Sequence, residues 1–190
     1  MGSRTSELVG VLCSLARSAE GVALLASPLD KLPPSAYDCR SVVFFYSTRQ
    51  GTLEPNYEVS VGVCRENCAS VLKDVESVQK RSRVFYVPPP EGDVVFVAYA
   101  GGRPVGATYL NPGSFNLDYG IHVAREFWRR RIGTRLLKEA LDVARSEGAE
   151  LLSVVRVLRS KTGASSDRRA IAFYSASHPV LGLDVYRLTR

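Results

Sequence analysis

The stretch Arg125-Glu126-Phe127-Trp128-Arg129-Arg130-Arg131-Ile132-Gly133-Thr134 holds the clearest chemistry in the chain. Three consecutive arginines stand where a helical pattern begins. A helix amino terminus is already positive, because its first N–H groups lack intrahelical acceptors and its peptide dipoles add. More positive charge is repulsive there unless an anion binds. A phosphate would accept the backbone N–H bonds while the arginines neutralise it, and Gly133 keeps a side chain out of the approach. The competing reading is a solvated basic turn. Asp118 and His122 share one face of an extended segment, but at four residues apart they sit roughly 13 Å from each other, too far for a hydrogen-bonded dyad. His122 and His178 are the only histidines, and Cys13, Cys39, Cys64 and Cys68 form no CxxC and no metal-ligand spacing with them, so no metal is expected. The cysteines read as buried free thiols of a cytoplasmic protein. A Cys64–Cys68 or Cys13–Cys39 bridge is the other option, suited mainly to a hyperthermophile's cytosol.

The elements that must hold these residues follow from periodicity. Leu136, Leu137, Ala140, Leu141 and Ala144 form one stripe of a helix expected over 131–147. Arg135–Glu139 and Lys138–Asp142 are spaced as exposed i,i+4 pairs, with Gly148 as the stop. Before it, 116–123 (NLDYGIHV) reads as one strand with Leu117, Tyr119, Ile121 and Val123 on a common face. After it, Leu151 to Leu158 is an apolar strand covered on both faces. Strand, helix and strand with short joins predict a right-handed parallel crossover. Upstream, Asp93–Ala100 and Pro104–Leu110 flank Gly101-Gly102 as a hairpin. Residues from Tyr57 predict a strand with Val59, Val61 and Val63 alternating. A helix carrying Ala69, Leu72, Val75 and Val78–Gln79 on one side follows, then a short strand at Val84–Val87 closed by Pro88-Pro89-Pro90. At the amino end an amphipathic helix is expected over Leu8–Ala26, then a Pro33-Pro34 break and a strand at Val42–Tyr46. The expected organisation is an extension over 1–56, helix plus strand, and a domain over 57–190.

Val123 to Leu137 resembles the acetyl-CoA signature of the GCN5-related N-acetyltransferase (GNAT) family, Gln/Arg-x-x-Gly-x-Gly/Ala. Asp167-Arg168-Arg169-Ala170-Ile171-Ala172-Phe173-Tyr174 is similar to that family's Asn-x-x-Ala-x-x-Phe-Tyr segment. The Gly101-Gly102 turn with Val105-Gly106 after it matches a third segment, in the same order. The resemblance covers roughly residues 57–190. It implies an α/β (α+β) fold, with a mixed, centrally splayed β-sheet flanked by helices, and acetyl-CoA as co-substrate. Backbone groups of Ile121, His122 and Val123 would pair with the pantetheine arm. The amides of Arg129, Arg130, Arg131, Ile132, Gly133 and Thr134 would wrap the pyrophosphate. Asp167 stands where the family has an Asn near the pantetheine, and Tyr174 where it has a tyrosine beside the thioester sulfur. The chain departs from the pattern in three places. Trp128 takes the Gln/Arg position, Arg131 replaces the first glycine, and His178-Pro179 stands where Gly-Phe commonly follows the tyrosine.

The reaction so implied needs a neutral amine and a proton for the departing thiolate. Tyr174 is the expected acid. Asp118, at a frequent family Glu position, and His122, with a suitable intrinsic pKa, are the candidate bases, beside a plain water path. The expected activity is direct N-acetylation of a primary amine on a protein amino terminus, a lysine or a small molecule. Alternatives are a non-catalytic acyl-CoA sensor and a basic nucleic-acid-binding module built on Arg129–Arg131, Arg156, Arg159, Lys161, Arg168 and Arg169. The 190 residues carry a net charge of +6, and residues 125–170 alone hold 12 Lys and Arg against 6 Asp and Glu. An excess so confined suits a small phosphate-bearing ligand better than a nucleic acid, and the missing aromatic interleaving agrees. No apolar run is long enough to span a bilayer. A cytoplasmic enzyme without a membrane partner is expected, and a homodimer stays open.

Overall fold

The computed structural model describes residues 24–27, 33–158 and 165–188. In chain order the elements are β1 (Leu24–Ser27), a 3-10 turn (Pro34–Ala36), β2 (Tyr37–Ser47), β3 (Ser60–Cys64), α1 (Ala69–Arg81), β4 (Val94–Ala100) and β5 (Arg103–Leu110). Then come β6 (Asn116–Leu117), β7 (His122–Val123), a second 3-10 turn (Arg125–Phe127), α2 (Ile132–Ser146), β8 (Leu151–Val157), α3 (Ser165–Ala176) and β9 (Leu181–Leu188). The chain builds two compact units, one from Thr48–Ala149 and one from its two ends, up to Ser47 and from Glu150 onward. The class is α+β, two sheets flanked by helices, as the family resemblance implies.

In the Thr48–Ala149 unit the strands run β3-β4-β5-β7, and their pairings are antiparallel. Gly101 and Gly102 take φ of 56° and 76°, the left-handed pair that a two-residue hairpin turn demands and that costs glycine nothing. Alternation along β4 and β5 turns Val95, Val97, Ala107 and Tyr109 to one face, where Val75 and Val78 of α1 pack on them. The opposite face receives α2, whose expected stripe from Leu136 to Ala144 is buried together with Ile132. Gly106 lies on that face because a Cβ there would come 2.9 Å from Leu136 Cδ1 and 3.0 Å from Ile132 Cγ2. The expected Arg135–Glu139 and Lys138–Asp142 pairs form at 2.8 and 2.6 Å. α2 ends with Gly148 N–H on Arg145 O and Ala149 N–H on Ala144 O, both 3.0 Å, the paired bonds of a Schellman stop.

In the other unit the strands β1-β9-β2-β8 lie in that order, with antiparallel pairings throughout. β2 is the inner strand. Val43 faces Val155 on one side and Leu183 on the other, and Val43, Phe45, Leu183 and Val185 form a core cluster. Asp184 accepts two bonds from Arg40, at 2.9 Å from Nε and 2.6 Å from Nη2.

Several expectations are corrected. The helix over Leu8–Ala26 falls outside the described residues except at its end, where Leu24–Ser27 is strand paired with β9. β2 starts five residues before the expected Val42. Val84–Val87 is no strand, because side chains claim its backbone. Gln79 Oε1 accepts the Val87 N–H at 2.8 Å, and the Tyr109 hydroxyl donates to Val87 O at 2.8 Å. The segment 116–123 is broken by a turn in which Gly120 N–H reaches Leu117 O at 3.1 Å. Only two residues of β7 remain to pair, with β5, whereas β8 pairs with β2. Cys64 and Cys68 are joined in a disulfide rather than free. The tight turn between β3 and α1 brings their Cα atoms to 5.7 Å, inside bridging range. Cys39 is a half-buried free thiol, and Cys13 lies outside the described residues. Among the described residues no helix is long and apolar enough to cross a membrane.

Candidate active site

The arginine-rich turn feeds directly into α2. Arg129 and Arg131 adopt left-handed backbone, φ 62° and 55°, a conformation that costs a non-glycine residue about 1–2 kcal/mol. No side chain caps the amino terminus of α2, so the N–H groups of Ile132, Gly133 and Thr134 have no acceptor inside the helix. Their surroundings keep the turn in place. The Trp128 indole N–H donates to Val123 O at 2.8 Å, and Asn56 donates to Arg130 O at 3.1 Å. The guanidiniums of Arg125 and Arg130 lie 5.4 Å over Trp128 and 5.2 Å over Phe127. Glu126 binds Arg81 at 2.9 Å and Arg103 at 3.2 Å. Its own backbone N–H and then these cations hold its carboxyl below the usual carboxylate range. Arg131, exposed, pairs with Glu54 at 2.8 Å. The arrangement can hold a phosphate: three unbonded helix amides, a glycine among them, and guanidiniums on the rim.

Ile121, His122 and Val123 follow the broken strand and lead toward this turn, all half-buried. Val123 O accepts from Trp128 and also from Ser82 Oγ at 2.9 Å. His122 Nε2 lies 2.8 Å from Tyr119 O; a neutral ring that donates there carries its lone pair on Nδ1. Asp118 is exposed and accepts from Asn116 Nδ2 at 2.5 Å. Asp118 and His122 lie on either side of the turn at Gly120 that breaks the expected strand, so the separation computed for an extended strand does not apply to them.

A carboxyl that the residue pattern did not single out lies close by. Asp93 opens the hairpin strand, is 4% exposed, and its Oδ2 is buried without a hydrogen-bond partner. Burial, reinforced by the charge of Asp118, pushes its pKa up to about 6. The signal in the sequence was one acid leading an otherwise apolar run, DVVFVAYA. On that pattern alone it reads as a turn residue.

Tyr174 and Asp167 belong to the other unit. Tyr174 is buried, its ring 5.7 Å from Phe44 and 5.0 Å from Phe173, and its carbonyl accepts the Tyr46 hydroxyl at 2.7 Å. Burial, and Tyr174 next, raise the Tyr46 phenol well above its ordinary pKa. Asp167, fully buried in the first turn of α3, accepts from Arg156 at 2.6 and 3.2 Å. That bond ties α3 to β8.

Solved structures with the same fold are distant in sequence. A conserved protein of unknown function from Staphylococcus epidermidis ATCC 12228 superposes with a TM-score of 0.55 at 13% identity, covering 94% of this chain and 68% of that one. An aminoglycoside acetyltransferase, meta-AAC0020, from an uncultured soil metagenomic sample gives 0.51 at 17% identity, covering 67% and 92%. A GCN5-related N-acetyltransferase from Kribbella flavida gives 0.51 at 12% identity, covering 80% and 60%. No curated protein sequence matches the chain. The pattern of the acetyltransferase (GNAT) family matches residues 66–178, more than half of the chain and inclusive of the arginine-rich turn, α2 and Tyr174, so the chain belongs to the GNAT acetyltransferase family.

Proposed function

We propose that this N-acetyltransferase uses acetyl-CoA and transfers the acetyl group directly to a primary amine, on a protein amino terminus, a lysine or a small molecule. The observation that carries this reading is the amino terminus of α2. It has no side-chain cap, is entered through two left-handed arginines, and is rimmed by guanidiniums. Pyrophosphate oxygens satisfy such a terminus, accepting from the amides of Ile132, Gly133 and Thr134 while Arg129, Arg130 and Arg131 offset their charge. The backbone of Ile121, His122 and Val123 is proposed to run beside the pantetheine arm. Asp167, held by Arg156, is proposed to keep the start of α3 in place for the arm.

Acetyl-CoA supplies a thioester, an acyl donor that a neutral amine attacks without prior activation. The protein's part is to orient the two reactants and move protons. Tyr174 is proposed as the proton donor to the leaving thiolate. For the amine, Asp118 and the Nδ1 of His122 are the groups on the exposed turn with the chemistry to accept a proton.

Acetyl-CoA should raise the melting temperature of the full chain, and adenosine at equal concentration should not, because the phosphates carry the binding. Arg131→Gly should keep most of that shift, since the contact there runs through backbone and the guanidinium is paired with Glu54. Equal shifts with adenosine, or none with acetyl-CoA, would overturn the reading.

A further inference from the structure

Asp93 is a buried carboxyl with an unpartnered oxygen. It makes no salt bridge among the described residues, so the unit carries the cost of burying it uncompensated. Enzymes use buried acids kept in that state for proton chemistry. The groups that face it are Asp118, whose charge it feels, and Tyr109, whose phenol feels Asp93 as well as Tyr86 and Tyr119. Burial raises the Tyr109 phenol well above its ordinary value, so it adds no compensating charge near pH 7. The local field is therefore negative and unbalanced, which suits a cation.

Strand register fixes where this acid stands. Val94 pairs with Leu110, and Gly106 pairs with Val123, the residue that leads into the arginine-rich turn. Asp93 is thus displaced from that turn by about four residues along β5, roughly 13 Å at strand rise. A cofactor with its pyrophosphate on α2 and its arm along 121–123 carries its thioester away from the phosphates, toward the turn that bears Asp118. Asn116 steadies that turn through its bond to Asp118, and Thr108 Oγ1 donates to Gly120 O at 3.0 Å.

We propose that Asp93 is the proton acceptor of the transfer, and that Asp118 is its partner in a two-carboxyl site that draws in the ammonium form of the acceptor amine. The proposal rests on the acetyl-CoA reading above. In the step, the ammonium gives one proton to the Asp93 carboxylate. The freed nitrogen pair forms the C–N bond at the thioester carbonyl, and the C–S bond breaks with its electrons on sulfur. Tyr174 gives its phenolic proton to the sulfur, which leaves as the thiol; the second amine proton restores the phenol, and Asp93 returns its proton to water. The balance is acetyl-CoA plus ammonium giving amide, free CoA and one proton. Asp118 acts through its charge, making Asp93 a stronger base than a lone exposed aspartate.

The test uses the full chain, acetyl-CoA and three amine probes: spermidine, a peptide with a free amino terminus, and an amino-terminally blocked lysine peptide. With the probe that turns over fastest, Asp93→Asn should lower kcat by about 10²-fold or more while acetyl-CoA affinity stays the same. Asp118→Asn should move the acid limb of the pH–rate profile to lower pH, and the Asp93 resonance in a side-chain carboxyl NMR titration should move with it. A purely structural role would produce neither shift. Unchanged kcat in Asp93→Asn, or an acid limb that ignores Asp118→Asn, overturns the proposal and leaves the transferase reading standing. If Asp93→Asn fails to fold, the Asp118→Asn shift alone decides. Acetyl-CoA binding with no turnover of any probe would overturn both readings together.

Discussion

Arg131 shows how a residue can break a family's local rule and keep the geometry. Its φ of 55° is the backbone a glycine would take freely. A side chain at that position is tolerated because Asn56 holds the preceding carbonyl and Glu54 holds the guanidinium. The residue type, read alone, says only that charge sits there. Asp93 is the opposite case, a side chain whose chemistry comes entirely from what surrounds it. Its pKa in the folded chain, about 6, lies above the ordinary carboxylate value near 4, so the folded state binds this proton more tightly than the unfolded one. The resulting stabilisation is complete below about pH 4 and is lost as pH rises through 6, leaving an ionised buried acid that costs up to ~3 kcal/mol at pH 8. Asp93→Asn should therefore gain on the parent chain by about that amount between pH 4 and pH 8. Urea unfolding of both chains at the two pH values measures it, and a constant difference would contradict it. The arginines and Tyr174 were readable because their types and order match a pattern. Asp93 was not, because no local spacing encodes burial.

At the scale of elements, what could be read was what local chemistry settles. A Gly-Gly pair between apolar runs gave the hairpin, and a helical stripe gave α2 to within a residue at each end. The misreadings occur where a partner elsewhere in the chain, or a turn inside an alternating run, decides. Val84–Val87 has strand composition, but Gln79 and Tyr109 take its hydrogen bonds. The run 116–123 alternates well, yet it turns at Gly120 and leaves two short strands. Gly106 links element to element. It looks like an ordinary strand glycine, and its reason appears only when α2 descends on it. Gly106→Ala would force a methyl to within 2.9 Å of Leu136 and 3.0 Å of Ile132, both fully packed. Overpacking of this kind costs about 1–3 kcal/mol, so the variant should unfold at lower denaturant with an unchanged slope. A loss of acetyl-CoA binding beyond that destabilisation would show that α2 had also shifted from the phosphate position.

At the scale of the molecule, chain order and spatial order part company. The excess of +6 over 125–170 divides between units: residues 125–149 hold 7 basic and 4 acidic side chains, and 150–170 hold 5 and 2. Much of it is spoken for, as Arg131, Arg135, Lys138, Arg145 and Arg156 all have carboxylate partners. The charge left for an anion is narrower than composition suggests. Connectivity matters more. Reading along the sequence places 1–56 outside the transferase-like region, yet β2 from that stretch lies between β8 and β9 and contributes Val43 and Phe45 to their core. A sheet stripped of its inner strand leaves β8 and β9 with unpaired edges and an open apolar face. A chain starting at Tyr57 should accordingly show no cooperative thermal transition for this unit, whereas a chain starting at Pro33, which keeps all of β2, should melt cooperatively. Near-UV circular dichroism reports the tyrosines Tyr37, Tyr46, Tyr174 and Tyr186, all buried in this unit, and gives the readout directly. A cooperative transition in the shorter chain, with an acetyl-CoA shift intact, would mean that residues 57–190 fold and bind without β2.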